Sequence, residues 1–179
     1  ADALPFLAVG VLILTAAVCI QEESGEFAKP YWKLLSQWKD YLIQYGSDPG
    51  EQLCTDDFAG HLAHNVNLAA KAIMGVEAYS QLARLLDMQA EAQRCHAIAR
   101  DMAQSWEARA IAGNHFALSF GQKDSWSLKY NLVWDKIWKS QLFSDSVYKK
   151  ELSYYLKQNQ KYGVPLDCRA EYTKSDWIA

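Results

Sequence analysis

The chain has 179 residues, half of them hydrophobic, with only nine Gly and four Pro. That scarcity of breakers excludes collagen-like, low-complexity and disordered classes and favours long helices. Eighteen Lys and Arg against 21 Asp and Glu give a net charge of −3. With no basic run on any segment, nucleic acid is excluded as the expected partner. Four dispersed cysteines, Cys19, Cys54, Cys95 and Cys168, form no C-x-x-C pair and are read as free thiols.

The first element is the run from Ala3 to Ile20, eighteen residues without a charge. At about 1.5 Å per residue such a run nearly crosses a lipid core, so three readings compete: a membrane span, a signal peptide and a buried helix. Asp2 is the only charge before it, no basic residues flank it, and Gly10 and Thr15 interrupt it. A buried inner helix is therefore expected, without a membrane span. A second helix is predicted from Phe27, Tyr31, Leu34, Leu35, Trp38, Leu42 and Tyr45, which would form one apolar stripe with Lys29, Lys33, Lys39 and Asp40 off it. The turn Ser47-Asp48-Pro49-Gly50 follows Gly46 and ends it.

A third helix is expected from near His64 to Leu86 and a fourth from Gln89 to Ala112, stopped by Gly113-Asn114. The alternation of Phe116, Leu118 and Phe120 predicts a short edge strand over 115–120. A fifth helix is expected at about 128–139 and a sixth at about 146–162, capped by Ser144 or Asp145. Thr173 to Ala179 reads as the start of a seventh. The apolar first and third helices, each followed by a more charged partner, describe inner helices wrapped by outer ones. The expected architecture is all-α, with hairpins at about 3–46, 64–112 and 128–162 arranged as part of an (α/α) toroid rather than a thin solenoid.

Three loops leading into inner helices place an acid beside an aromatic: Asp56-Asp57-Phe58, Asp124-Ser125-Trp126 and Ser175-Asp176-Trp177. Such a mouth suits a small polar ligand, with carboxylates for proton transfer and rings for walls. The same residues also serve as helix N-caps and hydrophobic anchors, and both readings stand. Phosphate-binding, dinucleotide, nucleophile-elbow and zinc-helix motifs are absent, so no cofactor is expected. His61 and His64 are three apart, but no matched second ligand set accompanies them and no metal is expected. Asn65, Asn67 and Asn131 stand near inner-helix starts, where they can cap a helix or meet a ligand.

The run from Leu53 to Leu68, Leu-Cys-Thr-Asp-Asp-Phe-Ala-Gly-His-Leu-Ala-His-Asn-Val-Asn-Leu, resembles the signature of the glutaminase A family in its six-helical-hairpin domain. Trp126 to Lys136, Tyr162 to Asp167 and Tyr172 to Trp177 resemble further blocks of the same domain in the same order. The resemblance spans nearly everything from about Leu12 onward. It implies an (α/α)6 toroid of the six-hairpin glycosidase type, in larger and often exported proteins, periplasmic or secreted. It implies hydrolysis of L-glutamine to L-glutamate and ammonia, while the toroid's likeness to carbohydrate-active enzymes keeps a sugar-active, sugar-binding or catalytically silent domain as the alternative.

On that basis Asp57 or Asp176 is the expected base, and Asp56 and Asp135 position the loops or the ligand. His64, Asn67, Trp126, Asp167 and Trp177 are the expected substrate-binding residues. The family carries a Glu-Glu pair followed by Gly-Asn where this chain has Phe6-Leu7-Ala8-Val9-Gly10-Val11. Three hairpins and the start of a seventh helix make residues 1–179 a single partial domain, about half of a ring. The apolar inner helices would then need either the remaining hairpins of a longer parent chain or a second copy to cover them.

Overall fold

A computed structural model describes residues 4–52 and 60–173; side chains are described from residue 8. Its helices are α1 (Leu4–Gln21), α2 (Trp32–Tyr45), α3 (Val66–Leu85), α4 (Gln89–Ala110), α5 (Val133–Trp138) and α6 (Asp145–Gln158). Two short strands, β1 (Ile111–Ala112) and β2 (His115–Phe116), pair antiparallel around Gly113, whose φ of +71° suits the tight reversal. The fold is all-α in its framework, as the sequence pattern requires.

The centre of the molecule is α3. Ala69, Ala70, Ala72, Val76 and Ala83 have no exposed surface, because small side chains let α1, α2 and α4 approach from several directions. Gly75 marks a close approach, with Leu42 of α2 and Val9 of α1 against its backbone. Trp106 of α4 fills the space beneath the start of α3, stacked on Phe116 at 5.0 Å and edge-on to Phe143 at 5.3 Å, and its indole N–H donates to the Val66 carbonyl at 2.7 Å.

The first helix confirms the inner placement in part. Val9, Leu12, Ile13, Ala16 and Cys19 are buried against α2 and α3, whereas Val11, Leu14 and Val18 are 42%, 60% and 43% exposed. No helix among the described residues is long and apolar enough to cross a membrane. A second exposed apolar row lies on the last hairpin, at Val133, Ile137, Leu152 and Leu156.

Three local expectations are corrected. The stripe on α2 is not one buried face: Leu35 and Leu42 are buried, but Phe27, Tyr31, Leu34 and Tyr45 are exposed and Lys39 is buried. Phe27 precedes the helix and Tyr31 ends a 3-10 turn at 29–31, so helical periodicity does not carry through them. Lys39 tolerates burial because its Nζ donates to Asp40 at 2.6 Å, lies 3.4 Å from Glu91 and stands over the Tyr79 ring. The fifth helix is shorter than expected. Residues 126–128 are drawn into extended pairing, with Leu128 N–H donating to Leu166 O and Cys168 N–H to Trp126 O, and only the turn 130–132 and α5 are helical. The sixth helix stops at Gln158, and Ser144 at its N-cap does not cap through its hydroxyl, which donates to Glu107 instead at 2.9 Å. The start of the expected seventh helix lies mostly outside the described residues.

Candidate functional site

The mouth is built where three stretches of loop, at 49–52, 62–65 and 118–120, converge on the first turn of α3. Asn65 caps that helix, its Oδ1 accepting from Leu68 N–H at 2.8 Å, which is the capping reading of this Asn. Around it, Leu62 N–H donates to Gln52 O, Ser119 Oγ to Ala63 O, Val66 N–H to Leu118 O and Phe120 N–H to His64 O. The expected strand at 115–120 is thus helical-domain stitching. Only two residues pair with β1, and the rest run beside residues 63–66 and tie the mouth to α4.

His64 occupies the centre of this arrangement with φ of +60°, a conformation that costs a non-glycine residue about 1–3 kcal/mol and persists only when its surroundings impose it. Here they do, since its N–H donates to Pro49 O at 2.7 Å and its carbonyl accepts from Phe120. The ring Nδ1 lies 2.8 Å from Asp48 Oδ1. Asp48 Oδ2 is in turn 3.0 Å from the Arg109 guanidinium, which also donates to Ser47 O and lies over the Phe120 ring. Arg109, Asp48 and His64 therefore form one polar chain across α4, the turn after α2 and the approach to α3. Beside it opens a pocket of about 450 Å³ lined by Tyr41, Tyr45, Asp48, Glu51 and Gln52, among others.

The other expected site residues fall in three groups. Asp56, Asp57, Asp176 and Trp177 lie outside the described residues. Asn67 is buried and joins α3 to the turn 130–132, its Oδ1 accepting from Asn131 N–H at 3.3 Å and its carbonyl from Asn131 Nδ2 at 3.2 Å. Trp126 is nearly buried and meets Tyr154 edge-on, and the Asp167 carboxylate is held by the Arg169 backbone N–H and guanidinium. Asp135 is 2% exposed, with Oδ1 accepting from Leu142 N–H at 2.9 Å and Oδ2 from the Tyr148 hydroxyl at 2.5 Å. Both of its oxygens are engaged in joining α5, the 139–142 turn and α6. Among the described residues no group of three or more His, Cys, Asp and Glu is placed to hold a metal ion. Cys19 and Cys95 are buried thiols and Cys168 is exposed.

Beneath the rim a buried network fixes the loops. The Lys129 Nζ donates to Ser127 O, Ser127 Oγ and Phe116 O at 2.8, 3.1 and 3.0 Å, and lies 3.6 Å from Glu151 Oε2. Glu151 Oε1 accepts from Phe116 N–H at 2.8 Å and its Oε2 from the Tyr155 hydroxyl. Burial pushes the Lys129 ammonium down to about 8, against the pull of Glu151. Sequence reasoning missed this network, and it also missed Asp48 and Arg109, which stand 16 and 45 positions from His64. Asp48 carries the signature of a turn residue, and no spacing rule links it to a histidine on another loop.

An all-α hairpin domain with a polar mouth at the start of a central inner helix is the class defined by this fold and site. The family model of the glutaminase A six-helical-hairpin domain matches residues 7–179, and the chain belongs to that family. It is 33% identical over 171 residues to a protein of Aspergillus oryzae named glutaminase A, a match covering 93% of this chain and 25% of the relative. It is 32% identical over 175 residues to a protein of Arthroderma benhamiae named probable glutaminase, covering 82% of this chain and 20% of that relative. The chain thus spans a quarter or less of the length of these relatives.

Proposed function

We propose that the chain is part of a glutaminase-type amidohydrolase domain, in which the mouth at the start of α3 receives the side-chain amide of L-glutamine. The reading is carried by one observation: a chain of this family, whose relatives are named glutaminases, arranges the described part of the signature segment, residues 60–68, around His64 and the first turn of α3. Asp57 or Asp176 activates the attacking water, and Asp56 positions the loop or the ligand. His64, Asn67, Trp126 and Asp167 shape the site around a small polar substrate, with Trp177 as a further wall. Asp135, with both oxygens engaged, acts by positioning α5. The exposed rows at Val11, Leu14 and Val18 and at Val133, Ile137, Leu152 and Leu156 receive the remaining hairpins of the longer protein, which the six-hairpin family model supports.

The test is ammonia release from L-glutamine by the full-length parent protein and by its Asp57→Asn and Asp176→Asn variants, run beside a panel of glycosides. Loss of turnover by 100-fold or more in one variant assigns the base. No ammonia from the intact protein sinks the amidohydrolase reading, and glycoside cleavage moves the function to carbohydrate chemistry.

A further inference from the structure

We infer that the pocket beside the turn after α2 is a binding site for a small primary amine in its ammonium form, held by Gln52, Glu51 and the rings of Tyr41 and Tyr45. This site stands on the geometry of the pocket alone and goes beyond the amidohydrolase reading, since no reacting group belongs to it. The pocket holds about 450 Å³ and lies between the last turn of α2 and residues 47–52. Gln52 forms part of its wall and is only 9% exposed. Its Nε2 donates to Gly50 O over a long 3.4 Å, and its Oε1 is the one buried side-chain polar atom among the described residues without a partner. Buried polar groups are as a rule hydrogen-bonded, so an orphaned acceptor on a pocket wall marks a place where a donor from outside the chain fits. The terminal torsion of a glutamine is soft, and Oε1 can turn towards such a donor at the cost of that one long bond.

The rest of the wall selects the donor. Among the described residues its charged members are both acids, Asp48 and Glu51, and no Lys, Arg or His joins them. Both oxygens of Asp48 are engaged, one 2.8 Å from His64 Nδ1 and the other 3.0 Å from the Arg109 guanidinium. Glu51 is exposed and makes no ion pair among the described residues, which leaves one uncompensated negative charge at the pocket. Tyr41 and Tyr45, four apart on α2, stand on one face with ring centroids 4.8 Å apart and planes tilted by 43°. Tyr45 is 52% exposed, so its ring is open to a cation. A carboxylate, an amide oxygen and two rings together favour a group that carries both positive charge and N–H bonds. A metal ion is disfavoured, because among the described residues no three His, Cys, Asp or Glu side chains come together. A quaternary ammonium has no N–H for Gln52, and a neutral polyol gains nothing from the charge of Glu51.

The experiment is a ligand-observed NMR titration of the full-length protein with n-butylammonium, tetramethylammonium, 1-butanol and glucose. n-Butylammonium binds with a Kd on the order of 1 mM that weakens as NaCl is raised. The other three bind about tenfold more weakly or not at all. Gln52→Leu weakens n-butylammonium binding by about tenfold, and Glu51→Gln and Tyr45→Ala by about 2- to 5-fold each. Gln52→Leu also removes an unpaired buried oxygen, so its urea midpoint holds, which separates lost binding from lost folding. Glu51→Gln changes an exposed position and tests the charge without touching the buried wall. No binding of n-butylammonium overturns the inference, as does equal binding of tetramethylammonium or glucose. Unchanged affinity in a folded Gln52→Leu or in Glu51→Gln overturns it too.

Discussion

The buried pair Lys129 and Glu151 offers the sharpest test of how the mouth is held. Lys129→Met removes three hydrogen bonds and leaves the Glu151 charge with only Phe116 N–H and the Tyr155 hydroxyl as partners. Breaking one side of a buried pair costs about 3–5 kcal/mol, and the two partners that Glu151 retains place this variant near 3. Glu151→Gln keeps an acceptor for Phe116 N–H but strips the counter-charge from Lys129, for a loss of about 2 kcal/mol. The double variant removes both charges together. It should cost about 3 kcal/mol rather than the 5 of simple addition, a coupling of about 2 kcal/mol. Urea unfolding followed by tryptophan fluorescence measures all four corners of the cycle. Singles within about 0.5 kcal/mol of the parent, or a double variant additive to within that margin, would refute the claim that the pair fixes the segment 116–129 to α6.

Two further outcomes are expected. A Cβ at Gly75 would stand 2.7 Å from Leu42 Cδ1 and 3.0 Å from Val9 Cγ1, both fully buried side chains without room to retreat. Gly75→Ala should therefore destabilise by about 1–2 kcal/mol in urea unfolding, although alanine in a helix interior ordinarily stabilises by about 1 kcal/mol. In stability against pH, Lys129 binds its proton less tightly folded than unfolded, so its burial penalty applies fully below about pH 8 and fades as pH rises towards 10.5. Burial pushes the Tyr148 and Tyr155 hydroxyls up, helped by Asp135 and Glu151 respectively, so the folded state keeps protons that unfolded tyrosines release near pH 10. Their contribution is complete below pH 10 and is lost above it. The buried Cys95 thiol, pushed up to about 11 by burial, adds a contribution that is complete below about pH 9 and is lost above it. Denaturation midpoints should therefore rise between pH 8 and 9 and fall above about pH 10, and a steady decline from pH 8 would contradict the burial of Lys129.

The loops around the start of α3 are held less firmly than the helices that dominate the fold. The buried helices are over-determined by packing, while the polar chain Arg109, Asp48 and His64 is half exposed and relies on a few hydrogen bonds.

The residues by themselves determined the helical framework. Scarce Gly and Pro, an uncharged first helix and apolar repeats of three and four left α3 and α4 within a residue or two of their observed limits. The strings around Asp56 to Asn67 carried the family. Periodicity failed where neighbours overrode it. Phe27, Tyr31 and Leu34 match a buried stripe in sequence, yet the chain enters α2 through a 3-10 turn and Lys39 takes the buried place because Asp40, Glu91 and the Tyr79 ring satisfy its charge. Residues 128–129 read as helix but are captured by Leu166 and Glu151. The link from Arg109 through Asp48 to His64 was decided only by tertiary structure, because a side chain's ionic partner is chosen by which loops the packed helices bring together, and sequence spacing records no such proximity.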